Sequence, residues 1–474
     1  MREFAEAKII IYNKYYVALT LIASALVMSW PAFFNGFPLM FPDSMSYIDD
    51  GARVARALFL HGILYNYTHR SHIYALGILR FHWNINPWPI VGLNALLTSY
   101  VLWLVVRSFQ LRNSLIKFFG LVVVLSATTG LGWFVSIILP DIFGPFLYLV
   151  IYLIVFAWET LSRAERIAIM TIGSWATASH ATHLILGFGV SGIAITVLIL
   201  QRETMAQVLR ATGRTAAVIC FAAAATIMLH AYLYGEPSLT GKRAPFLLAR
   251  VIADGPGRWY LEKHCGELRL AVCEHIHDLP QDANDILWGQ NGIFVTASMP
   301  MQQRLRDEEK TVVLGAVKTY PVEELKFSLM HFWRQLHSDK LSEFAAHPWV
   351  LQVFDYVLPN AKLQYLQSRQ VRRALPLNAF SLVQDWIVFV SNLIIIGGLL
   401  SGKIWNRRLA GLAAIAIFVV IANAAVTGIL SNVQGRYGSR VIWLLPFLAA
   451  LILFALIRRY AESQKSGSSA QSVR

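Results

Sequence analysis

Apolar runs of roughly twenty residues recur from one end of the chain to the other, separated by polar clusters, and each is long enough to form a helix across a hydrocarbon layer of about 30 Å. They place helices near residues 16–34, 88–106, 117–132, 142–158, 167–180, 184–200, 215–234, 385–401, 409–430 and 441–457. The pattern predicts an all-α polytopic membrane protein with about ten transmembrane helices. Two intervals are too long to be turns, 35–87 and 235–384. Within the first, Asp49 to Leu60 and Ser71 to Phe81 mix apolar and basic positions, as helices lying in a membrane interface do. The second carries Pro, Gly, Trp and many charges, with helical-looking pieces such as Val322 to Leu336, and predicts an α-rich periplasmic insertion that caps the bundle. The chain therefore divides into an N-terminal transmembrane module of seven helices, 1–234, with an outer loop at 35–87. After it come the cap, 235–384, a C-terminal module of three helices, 385–460, and a disordered cytoplasmic tail, 461–474.

Composition sharpens this picture. With 56% hydrophobic and 14% charged residues, a soluble fold has nowhere to hide its apolar surface. The net charge of +14 is gathered in short loops: Arg107, Arg112 and Lys117; Arg163 and Arg166; Arg202, Arg210 and Arg214; Lys403, Arg407 and Arg408; Arg458 and Arg459. All of these fall on one side of the predicted membrane, which orients both termini to the cytoplasm and argues against nucleic acid as the partner. Arg2, Lys8 and Lys14 precede the first run, and bulky Trp30, Pro31, Phe33 and Phe34 follow it in place of a small-residue cleavage site, so that run is expected to stay as a span. Cys220 lies in an apolar run, whereas Cys265 and Cys273 share a polar segment and are placed to bridge if it is oxidised.

Candidate chemistry gathers at the outer ends of the helices. Phe41-Pro42-Asp43-Ser44 follows the first run, with Tyr47, Asp49 and Asp50 behind it. A carboxylate at that depth calls for a partner or a role: Asp43 reads as a general base or as a helix cap. Downstream lie Arg70-Ser71-His72-Ile73-Tyr74, then Leu93-Asn94-Ala95-Leu96, then Pro140-Asp141, where Asp141 also reads as a cap. His180 and His183 turn between two predicted helices and read as cavity lining or as a metal pair, which leaves a divalent cation open. Lys242 and Arg243, in the large outer segment, read as contacts to phosphate or an acidic acceptor, or as a solvated face. Arg436-Tyr437 and Arg440 stand before the last helix on the side normally depleted of positive charge, where paired guanidiniums suit a lipid-linked phosphate.

The order of these features resembles the GT-C glycosyltransferases, notably the bacterial aminoarabinose and mannosyl transferases, over roughly residues 10–200 and the last three predicted helices. The resemblance implies a polyprenyl-phosphate sugar as donor and a lipid, polysaccharide or protein acceptor at the outer face of a bacterial inner membrane. It implies Asp43 as catalytic base, Asp141 as a second carboxylate that orients the acceptor or holds an ion, and Arg436, Arg440, Tyr437 and Arg70 on the donor phosphate. Ser44, Tyr47, His72, Tyr74, His180 and His183 would line the acceptor cavity. The chain departs from the family around Arg70, where Ser71, His72 and Ala75 stand in place of the prolines of its Arg-x-Pro-x-Tyr-Pro-like stretch. A flippase of lipid-linked sugars and a noncatalytic partner in envelope assembly are the alternatives. A transporter would carry polar or broken residues deep in several helices.

Overall fold

The computed structural model describes residues 2–60, 70–111, 113–402 and 405–471, with side chains within 14–460. Thr68, His69, Arg112, Lys403, the side chains of Arg2 and Lys8, and the expected tail at 461–474 beyond its helical backbone to Gln471 lie outside those described residues. Each of the ten apolar runs coincides with helix. Among the described residues, six helices are long and apolar enough to cross a membrane: Trp88–Ser108, Ala181–Leu200, Met205–Tyr234, Leu377–Ser401, Arg407–Leu430 and Gly435–Tyr460. The chain is thus an α-helical protein of membrane type. Lys14–Met28, Ser114–Thr128 and Pro140–Phe156 are apolar and shorter.

The helix Phe143–Phe156 explains why a short segment reads as a span. All fourteen of its residues are buried, because the helices around it enclose it on every side, so its sequence is apolar all round. At 1.5 Å per residue it is only about 21 Å long. Its N-terminal end carries Asp141 and its C-terminal end faces Trp158 and the basic loops.

The two long intervals between the apolar runs are helical too. Pro42–Phe59 and His72–Leu79, the pair expected at the interface, pack on one another, and Gly51 permits the approach: a Cβ there would sit 2.6 Å from the Ala75 carbonyl. The 235–384 insertion splits. Its first half, with Leu248, Ile252, Leu261, Leu305 and Val312, builds a small apolar core of its own, whereas Leu341, Phe344, Val350 and Phe354 join the main core. Cys265 and Cys273 are joined as a disulfide within the first half. Buried Glu308 accepts the Ala271 and Val272 amides (2.6 and 3.1 Å) and Glu309 the Leu247 amide (2.9 Å), so two adjacent carboxylates hold the starts of two other segments.

Where this insertion meets the bundle, Asp254 accepts from Arg250 (2.7 Å) and pairs with His331 (2.8 Å), and Arg250 reaches the Ser431 carbonyl (2.9 Å). Glu324 lies beside this group, and burial, reinforced by Asp254 and opposed by Arg250, pushes its carboxyl up to about 7. The folded protein therefore holds a proton that the unfolded chain releases near the ordinary carboxylate range, so stability falls as pH rises towards 7. Thermal unfolding across pH of about 5 to about 8 should show a melting temperature that declines through neutrality in the wild type and declines less in Glu324→Gln.

Candidate functional site

Two short stretches of the chain present their acids in matched register. Leu39 and Ile137 form a parallel bridge, with the Leu39 amide donating to Ser136 and the Ile138 amide to Leu39. Three residues past the bridge each stretch has a proline, Pro42 or Pro140, and the next residue is Asp43 or Asp141. Both prolines open helical turns, where a missing N–H costs nothing and φ is already set. Gln370 fastens the same region, its side chain bonding the Met40 amide (3.0 Å), the Met40 carbonyl (2.8 Å) and the Phe344 carbonyl (2.8 Å).

Asp43 does not cap its helix. Ser44 does that work, its hydroxyl accepting the Phe41 amide at 3.0 Å, and the Asp43 carboxylate instead pairs with Arg70. One turn on, Tyr47 is buried and packs edge-to-face on Tyr74 at 4.8 Å. Burial pushes the Tyr47 phenol up, with Arg70 and Arg436 opposing and Asp43 and Asp141 reinforcing, so this hydroxyl stays protonated while sensing the charges of both halves of the site.

Asp141 is held between two guanidiniums. Arg436 donates to one carboxylate oxygen at 3.1 Å and Arg440 to the other at 3.2 Å, four residues apart on one face of Gly435–Ile442. All three side chains are almost wholly buried, at 5%, 1% and 6% exposure for Arg436, Arg440 and Asp141. Gly438 lets this helix lie against Ser338–Lys340, since a Cβ there would collide with the Ser338 backbone. Arg440 also donates twice to Asn423 (2.8 and 3.2 Å), and Arg436 lies over Phe41 at 4.3 Å. Glu343 stands 3.8 Å from the Arg436 Nε. Burial pushes the Glu343 carboxyl up, against the pull of Arg436. Among the described residues the Arg436 Nε–H has no hydrogen-bond partner, its nearest acid being Glu343.

A second set of polar atoms faces the same cluster. His183 donates its Nδ1–H to the Ala176 carbonyl (2.7 Å), which leaves a lone pair on Nε2; among the described residues neither that atom nor the Tyr148 hydroxyl has a hydrogen-bond partner, although both are fully buried. Both look onto Gly144, where an added Cβ would lie 3.1 Å from His183 Nε2 and 3.4 Å from Tyr148 Oη. The charge of Arg440 reaches both rings, and the buried, unpartnered Tyr74 hydroxyl senses Asp141. A hydroxyl placed there can donate to His183 and accept from Tyr148.

Other predicted residues are placed elsewhere or otherwise engaged. His180 caps Ala181–Leu200 by accepting the Thr182 amide (3.2 Å). Its ring lies 5.4 Å from that of His183, and among the described residues no three His, Cys, Asp or Glu side chains are grouped to hold a metal. His72 spends both nitrogens on buried Asp50 and on Tyr234. Lys242 pairs with Glu236 (3.0 Å) and Arg243 with Glu309, and both line a separate cavity of about 210 Å³. Asn423, Tyr148, Gly144 and Glu343 were not expected from sequence; a lone Asn in the apolar run 409–430 was the one signal at hand for any of them. The chain matches no protein-family model, no curated protein and no solved structure.

Proposed function

We propose that this chain is an inverting glycosyltransferase of the GT-C kind, crossing a bacterial inner membrane about ten times and moving a sugar from a polyprenyl-phosphate donor to an envelope acceptor at the outer face. The observation that carries this is Asp141 buried between Arg436 and Arg440, residues about 300 positions away, with the Arg70-paired Asp43 brought to the same end of the bundle by the Leu39–Ile137 bridge. Asp43 takes the proton of the acceptor hydroxyl as its oxygen attacks the anomeric carbon. The bond from that carbon to the phosphate oxygen breaks with its electron pair leaving on the phosphate, and Arg436 with Arg440 stabilises the charge that develops there. Attack opposite the leaving group inverts the anomeric centre. Arg70 orients Asp43, and Asp141 holds the two arginines ready, giving way as the phosphate enters. His183 and Tyr148 receive a sugar hydroxyl above Gly144. The Cys265–Cys273 disulfide accords with an oxidising compartment for the insertion.

Purified Asp43→Asn protein, supplied with radiolabelled polyprenyl-phosphate sugars and envelope acceptors, should lose transfer by about 10²–10⁴-fold while still retaining the donor. Undiminished turnover would remove Asp43 as the base. Movement of donor across a vesicle membrane with no glycoside formed would replace the enzyme by a flippase.

A further inference from the structure

At the far end of Phe143–Phe156 from Asp141, about 20 Å away along the helix, two of the basic clusters meet around a cavity of about 390 Å³. Arg210, Arg214, Arg407 and Arg408 line it against a single acid, Glu159, with Trp158 between them. Four arginines kept apart on short loops would satisfy membrane orientation alone. Here they turn inward on one space. Arg214 lies over the Trp158 ring at 4.2 Å and Arg166 over it at 5.0 Å, so the indole face stabilises both guanidiniums. Arg408 is anchored on the Ser108 carbonyl, and Arg407 on Glu203 at 3.0 Å and the Val155 carbonyl at 3.3 Å. Among the described residues the Arg407 Nε is nonetheless buried without a hydrogen-bond partner, as is that of Arg166. Guanidiniums so held around one cavity are stabilised by an anion with several acceptor oxygens.

We propose that this cavity binds a phosphate group, and that the phosphate is the headgroup of an anionic membrane lipid. The surface beside the cavity favours that source. Met205 and Leu209, flanking the lining residues Gln207 and Arg210 on the first turns of Met205–Tyr234, are 68% and 63% exposed, as apolar side chains that face acyl chains are. A lipid would place its phosphate among the arginines and its tails along this helix. The inference is independent of any catalytic role for Asp43 and Asp141.

Native mass spectrometry of the full-length protein, loaded with phosphatidylglycerol or phosphatidylcholine, tests it. The wild type should retain phosphatidylglycerol in preference, and Arg210→Gln with Arg214→Gln should weaken that retention about thirtyfold. Glu159→Gln, at an exposed position, removes the one lining acid and should strengthen retention about fivefold; it carries the test should the double variant fail to fold. Displacement of the lipid by inorganic pyrophosphate would keep the phosphate site and assign it to a soluble ligand. Equal retention of the two lipids, or equal retention by wild type and Glu159→Gln, overturns the proposal.

Discussion

Asp141→Leu should lower the stability of the purified protein by about 3–5 kcal/mol, as much as a large apolar truncation in the core. Two guanidiniums rest on this one carboxylate, both almost wholly buried, and removing it leaves them facing each other with only Glu343 close to Arg436. Arginine cannot shed its proton to escape, so the cost is expressed in unfolding. The effect should be partly reversed by adding Arg440→Met, because the remaining Arg436 keeps Glu343 beside it and Asn423 finds other partners more readily than a guanidinium does. Thermal unfolding of the two single variants and the double variant gives the coupling. A melting temperature unchanged by Asp141→Leu would mean that the arginines are solvated or otherwise paired, and the cluster as described would not stand.

Gly144→Ala should have opposite effects on activity and on folding. An alanine is favoured over glycine within a helix by up to about 1 kcal/mol, which offsets the tight approach of the new methyl to His183, so the melting temperature should hold or rise. The same methyl occupies the space that His183 Nε2 and Tyr148 Oη face, and transfer should fall by about 10²-fold, as it does when a substrate is displaced by about an ångström. Binding of the donor and product formation, followed alongside unfolding, check this. Full activity in a stably folded Gly144→Ala protein would remove the proposed sugar position.

The helices were legible because burial and hydrocarbon both demand apolar residues, and a run of them records either. That is also why the sequence could not tell Phe143–Phe156, enclosed by protein, from a helix facing lipid. Residues at the helix ends were legible as chemistry: Asp43, Asp141, Arg436 and Arg440 stood out as charges beside apolar runs, and the i,i+4 spacing put the arginines on one face. Which acid they meet was not legible, since Asp141 lies 295 and 299 residues away and periodicity carries no information at that separation. Asp43 read as a general base or a helix cap, and only the pairing with Arg70 decided that Ser44 takes the capping role. His72 drew notice as a cavity residue, yet its partners Asp50 and Tyr234 come from two other helices. Tyr148 and Gly144 left no trace because, in an apolar run, a tyrosine and a glycine read as ordinary core.

The contact between Leu39 and Ile137 has a mechanical meaning for the pair of acids. Since each aspartate sits the same four residues beyond it, one peptide-to-peptide link sets their spacing, in place of the accumulated tolerances of the long helices that carry them onward. Sliding or tilting of those helices would carry both carboxyl groups together, like two arms on a common yoke. Lengthening one arm by a single residue, between 39 and 42, would throw them out of step while leaving the bundle intact.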